Sequence, residues 1–147
     1  MKQPMPSDLR LVALIEFFES LQPATVQRID DLYAPDASFK DPFNEVRGVA
    51  AIKRIFDHMF AQVDAPAFRV QAAAVEGDTG FLEWTMHFRR RGSAREETIR
   101  GASAVRFDAD GRVALHRDYW DAAEELYAKL PLLGALMRAL RRRLAAS

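Results

Sequence analysis

The sequence predicts an α+β fold in which helices come first and a curled antiparallel sheet follows. Three observations predict it. Apolar residues recur at helical spacing over 8–20 and again after Gly48. Beyond Pro66 the pattern changes to extended segments of alternating character. Turn residues, Gly77-Asp78-Thr79-Gly80 and Asp108-Ala109-Asp110-Gly111, punctuate those segments.

Each element has its own reason. Asp8 is placed to cap a first helix over 8–20, whose apolar side holds Leu9, Val12, Ile15, Phe17 and Phe18. Pro23 opens a second helical window through Val26, Ile29, Leu32 and Tyr33, ended by Pro35-Asp36. A short extended piece, Ala37 to Lys40, closes at Asp41-Pro42, because the residue before a proline is driven out of helical geometry. Gly48 opens a third helix with Val49, Ile52, Ile55, Phe56, Met59, Phe60 and Val63 on one stripe. Strands are expected at about 67–76, 80–90, 97–107 and 112–120, the last three as antiparallel neighbours. From Asp121 the chain returns to helix, once over 122–130 and again after Pro131. Residues 1–147 thus read as a single domain, with 122–147 as a helical C-terminal extension.

Composition excludes several classes. With 147 residues and 49% apolar content the chain can bury a real core. Its 21 basic and 21 acidic residues cancel, without the basic excess of a nucleic-acid binder. It has no cysteine, which removes disulfides, thiolate metal sites and cysteine nucleophiles. The three histidines show no zinc spacing, so neither metal nor cofactor is expected. Met1 to Ser7 lacks the basic and apolar regions of a signal peptide, and no apolar run approaches a membrane span, which makes a cytoplasmic protein the expectation.

Two segments carry a resemblance. The stretch Tyr33-Ala-Pro-Asp-Ala-Ser-Phe-Lys-Asp-Pro-Phe43, followed by Arg47-Gly48 and Ala51-Ile52, is similar to ketosteroid isomerase. The segment Gly111-Arg-Val-Ala-Leu-His-Arg-Asp-Tyr-Trp-Asp121 is similar to limonene epoxide hydrolase. Together, over about residues 8–121, the chain resembles the nuclear transport factor 2-like superfamily, in its SnoaL-like branch. That resemblance implies a cone-shaped α+β barrel, with three N-terminal helices on a curved, mostly antiparallel sheet. It implies Asp41 as a general base and Asp118 as an acid that helps activate water. It also exposes departures. Phe17 falls where the isomerase has a tyrosine donor, and Ser103 near its protonated acid. Trp84 and Met86 fall where the hydrolase has its arginine and second aspartate. Both activities in their familiar forms are therefore disfavoured.

The alternation of strand side chains gives a candidate site. If Asp118 faces the concave side, so do His116 and Trp120, together with Trp84, Met86 and Ser103 on neighbouring strands. Phe17, Phe39, Phe43, Phe56 and Phe60 would close it from the helical side. The expected pocket is apolar, with Asp41, Asp118 and His116 as proton-transfer groups, and suits a hydrophobic small molecule. Burying a carboxyl among apolar side chains disfavours its charged form, which suits proton transfer near neutrality. Donors for an oxyanion are few. Each residue also has a plainer role. Asp41 can cap its own turn, Asp118 can pair with an arginine, and His116 can be a satisfied sheet residue.

The outer sheet face, with Thr85, His87, Ala102, Ala104, Leu115, Arg117 and Tyr119, is mixed in character and suits a homodimer. The tail combines leucines with Arg138, Arg141, Arg142 and Arg143. A lid or packing role is favoured over membrane contact for it. The sequence thus points to a SnoaL-like protein acting on a small hydrophobic molecule by isomerase-, hydrolase- or cyclase-type acid–base chemistry. The alternative is a non-catalytic module that binds a hydrophobic ligand or a partner.

Overall fold

A computed structural model describes residues 7–125 and 131–145. Helix α1 (Leu9–Glu19) starts on Asp8, whose carboxylate accepts the Arg10 backbone N–H at 3.0 Å. This capping bond satisfies one of the amide groups a helix start leaves unpaired. The Arg10 guanidinium bonds Asp8 (2.8 Å) and Asp78 (2.7 Å), tying the helix start to a distant hairpin turn. A 3-10 helix (Pro23–Arg28) and one turn of α2 (Ile29–Leu32) follow.

The second helical window is shorter than its periodicity predicts. Strand β1 (Tyr33–Lys40) begins at Tyr33 rather than Ala37, because pairing with a distant strand overrides local preference. A strand not expected from the sequence, β2 (Glu45–Arg47), makes a hairpin with β1. Its three residues are too few for alternation to register. Helix α3 (Val49–Gln62) begins after Gly48, whose φ of +93° is a conformation that L side chains rarely adopt.

The sheet is completed by β3 (Val63–Glu76), β4 (Thr79–Arg90), β5 (Glu96–Phe107) and β6 (Val113–Tyr119). Strand order is β2-β1-β6-β5-β4-β3, antiparallel throughout except for the parallel pair β1 and β6. The β3–β4 ladder shifts register between Asp64 and Ala67 and again between Val70 and Ala72. Such irregularities bend a strand and sharpen its twist, so the sheet curls around α1 and α3. The Val70 N–H is taken by the Glu19 carboxylate of α1 at 3.1 Å.

The core lies in the concavity. Leu11, Leu14, Phe17, Val26, Ile29 and Ile52 from the helices meet Leu82, Val105, Phe107 and Val113 from the sheet. Burial along β4 alternates strictly from Phe81 to Phe88, as the inner-face assignment of Leu82, Trp84, Met86 and Phe88 requires. After β6 come α4 (Ala122–Glu125) and α5 (Pro131–Leu144). The rest of the expected 122–130 helix lies outside the described residues.

Candidate functional site

Strand β6 turns His116 and Asp118 to the inner face, two residues apart. Ser103 of β5 is directly opposite Asp118 in the ladder, and Trp84 of β4 is opposite Gly101. The parallel pairing of β1 with β6 brings Tyr33 beneath His116. Four strands thus supply one hydrogen-bonded chain. The Trp84 indole N–H donates to Ser103 Oγ at 2.8 Å, and Ser103 donates to Asp118 Oδ1 at 2.5 Å. His116 Nε2 lies 2.6 Å from the same oxygen, and its Nδ1 lies 2.6 Å from the Tyr33 hydroxyl.

The donors set the direction of that chain. An indole can only donate, so the Ser103 oxygen accepts and its hydrogen goes to Asp118. With Asp118 as carboxylate, His116 donates from Nε2 and accepts the Tyr33 hydroxyl at Nδ1. Burial, and secondarily the Asp118 charge, push the Tyr33 phenol well above its ordinary value, so it remains a donor. The imidazole is held sterically as well. Phe39 meets it edge-on at 4.9 Å and Phe18 at 5.7 Å, while Tyr33 stacks at 6.0 Å.

These groups border a cavity of about 30 Å³ lined by Phe18, Phe56, Phe68, Val70, Leu82, Trp84, Ser103, His116 and Asp118. That volume holds about one water molecule, whereas ligand pockets run to several hundred Å³. Asp118 also borders a second, open cleft with Lys40, Asp41, Pro42, Arg117, Trp120 and Asp121. Among the described residues its Oδ2 accepts no hydrogen bond.

The expected lining residues divide between several places. Trp84, Ser103, His116 and Asp118 come together, with Phe56 across from them. Phe17 does not line the cavity. It is fully buried in the core, and Phe18, one residue and about 100° further round the helix, takes the wall position. Phe39 packs on His116, while Met86 and Phe60 belong to the core beside the cavity. Phe43 is 54% exposed and meets Trp120 at the cleft, 5.4 Å between ring centres.

Asp41 lines the cleft and not the cavity. Its Oδ1 accepts the backbone N–H groups of Phe43 (2.8 Å) and Asn44 (2.7 Å), and the Asn44 amide lies 3.1 Å from both of its oxygens. Asp118 has no arginine partner among the described residues, since Arg117 points outward over the Tyr119 ring at 4.6 Å. The described residues contain no cluster of three or more His, Cys, Asp or Glu fit to hold a metal ion.

Tyr33 and Phe18 were not expected at the site. Tyr33 is 83 residues from His116, and nothing in the spacing of either announces the contact.

A curved, unclosed six-stranded sheet wrapped on helices, with a polar cluster in its concavity, is the cone fold of nuclear transport factor 2-like proteins. Residues 14–116 match the SnoaL-like domain model, and the chain belongs to that family. A steroid Delta-isomerase from Nocardioides simplex is 26% identical over 111 residues, covering 74% of this chain and 86% of its own length. Among solved structures, a protein of ketosteroid isomerase-like fold from Catenulispora acidiphila, in complex with trimethylamine, superposes with a TM-score of 0.71. It is 16% identical, over 86% of this chain and 96% of that one. An LEH-like epoxide hydrolase from M. tuberculosis gives 0.66 at 19% identity, covering 95% of this chain and 98% of that one. At these identities the structural likeness speaks for the fold alone.

Proposed function

We propose that this SnoaL-like protein moves a proton on a small apolar molecule, with Asp118 as the base and His116 as the residue that positions it. One observation carries the reading. A single carboxylate in an aromatic concavity has one oxygen held by Ser103 and His116, while the other accepts no bond among the described residues, and Asp118 borders both the inner cavity and an open cleft. A base held in one orientation loses little entropy when it reacts.

The substrate enters from the cleft beside Trp120, and Phe18, Phe56 and Phe68 must rotate to admit it further, since the inner cavity is only about 30 Å³. The steroid isomerase and epoxide hydrolase relatives suggest the reaction types to try, isomerisation and water addition. A second reading, binding without turnover, is favoured by the use of the inner donors. Trp84, Ser103 and Tyr33 are all spent inside the network, so none of these three is free for an oxyanion, and the cationic donors Lys40 and Arg117 stand at the open cleft instead.

The test is direct. A panel of apolar ketones and epoxides is incubated with the protein in deuterated water and followed by NMR and mass spectrometry. Proton exchange next to a carbonyl, or diol formation, is expected for compounds that bind, and Asp118→Asn should slow it by roughly a hundred- to ten-thousandfold. Binding with no chemistry, or equal rates in Asp118→Asn, overturns the proposal.

A further inference from the structure

Helix α5 carries a feature that the acid–base site does not use. It has four arginines and no acid over Pro131–Leu144. On a helix turning about 100° per residue, Leu132, Leu133, Leu136, Leu140 and Leu144 fall within an arc of about 120°. Arg138, Arg141 and Arg142 fall on the other side, while Arg143 falls inside the stripe between Leu132 and Leu136, where a long stem lets its charge reach outward. Had the leucines covered the pocket mouth or packed on the body, they would be buried. Instead Leu132 is 90% exposed, Leu136 55%, Leu140 44% and Leu144 84%. Among residues 132–145 only Gly134 is buried.

We propose that α5 docks the protein on an anionic membrane surface, lying in the interface with its leucines among the acyl chains and its arginines at the headgroups. Charge selects this occupant. The whole chain is neutral at 21 against 21, yet the last turn of α5 concentrates Arg141, Arg142 and Arg143 with no acid in the helix to offset them. An apolar stripe with such a basic flank is matched by a surface that is apolar inside and negative outside. A second copy of the same helix packed in parallel would bring like charges together, and one packed antiparallel would offer these arginines no acid, since α5 has none. At 14 residues the helix is about 21 Å long, too short for the ~30 Å hydrocarbon layer, so it lies on the bilayer and does not cross it. No described helix is long and apolar enough to cross a membrane.

The full chain is sedimented with vesicles of phosphatidylcholine containing phosphatidylglycerol, and with vesicles of phosphatidylcholine alone. Binding is expected to the first, falling as salt rises, and much weaker to the second. Replacing Arg141, Arg142 and Arg143 by Gln should weaken it on the order of a hundredfold. Leu132→Ser with Leu136→Ser and Leu140→Ser should abolish it, while the melting temperature stays unchanged because these side chains are exposed. Absence of binding to the anionic vesicles, or equal binding to both kinds, overturns the proposal. So does a leucine variant that binds vesicles normally but elutes as a smaller species, which would assign the stripe to a second copy. None of these readouts involves turnover, so they stand or fall independently of the acid–base reading.

Discussion

Asp41 and Asp118 border the same cleft and are both proton-transfer candidates in the sequence, yet their surroundings differ in kind. Asp41 sits in a four-residue turn between β1 and β2, and its partners come from Phe43 and Asn44, two and three positions away. Asp118 is held by Ser103 and His116, which are in turn held by Trp84 and Tyr33, from three further strands. The first carboxylate is saturated by its own turn and makes that turn. The second is oriented by the whole sheet and keeps one oxygen open. The same residue type is a structural cap in one place and an available base in the other, according to who supplies the donors.

The largest expected effect sharpens that contrast. Asp118→Asn should leave the fold intact and reduce any proton transfer by roughly a hundred- to ten-thousandfold, whereas Asp41→Asn should change the rate by only a few-fold. Steady-state rates on one substrate, measured for both variants, check it. Equal losses would break the comparison.

A second way to break it is through the support of Asp118. Gly101 lies under Trp84, and a Cβ there would stand 2.6 Å from the indole ring. Gly101→Ala should displace Trp84, cut its bond to Ser103 and cost about 1–3 kcal/mol. Thermal melting and the NMR resonance of the indole N–H report the two effects.

Tyr33→Phe should come next, at about 1–3 kcal/mol, because it leaves a buried ring nitrogen of His116 without its donor. Its pH signature has a definite sign. The folded phenol is pushed above the unfolded value of 10.0, chiefly by burial. Its contribution is therefore complete below pH 10 and is lost as pH rises from there toward the folded value. Melting curves of the wild-type chain should fall more steeply above pH 10 than those of Tyr33→Phe, by up to about 1.4 kcal/mol per pH unit.

The smallest effect belongs to the Asp41 corner. Asp41→Ala removes acceptors for local N–H groups that water can partly replace, since Phe43 is exposed. A loss of about 1 kcal/mol in a chemical melt is expected, with β1–β2 loosened and Asp118 undisturbed. A larger loss, or a changed His116 resonance, would show that the two corners are coupled.

The two acids also show what could be read in advance. Asp41 before Pro42 was legible as a turn residue because its partners are neighbours in sequence. Asp118 and His116 were legible as sharing a face because strand alternation is local. Ser103 and Trp84 could be placed on that face by the same rule. Their hydrogen-bonded order could not, because it depends on register between strands, and a shift of one residue would invert it. Phe17 was expected where Phe18 stands because both are apolar and adjacent, and only packing against Phe56 and Phe68 separates them.

The sequence by itself determined the class of fold, most element boundaries, the inner and outer faces of β4, β5 and β6, and the basic, leucine-rich character of the tail. Each follows from periodicity, from turn chemistry or from composition, which act over a few residues. The tertiary structure alone decided that β1 runs parallel to β6, that Tyr33 holds His116, that the cavity closes to about 30 Å³ and that the leucines of α5 face outward. Those outcomes come from contacts between residues far apart in the chain. Their free energy depends on how whole surfaces fit together, and no local pattern encodes that fit.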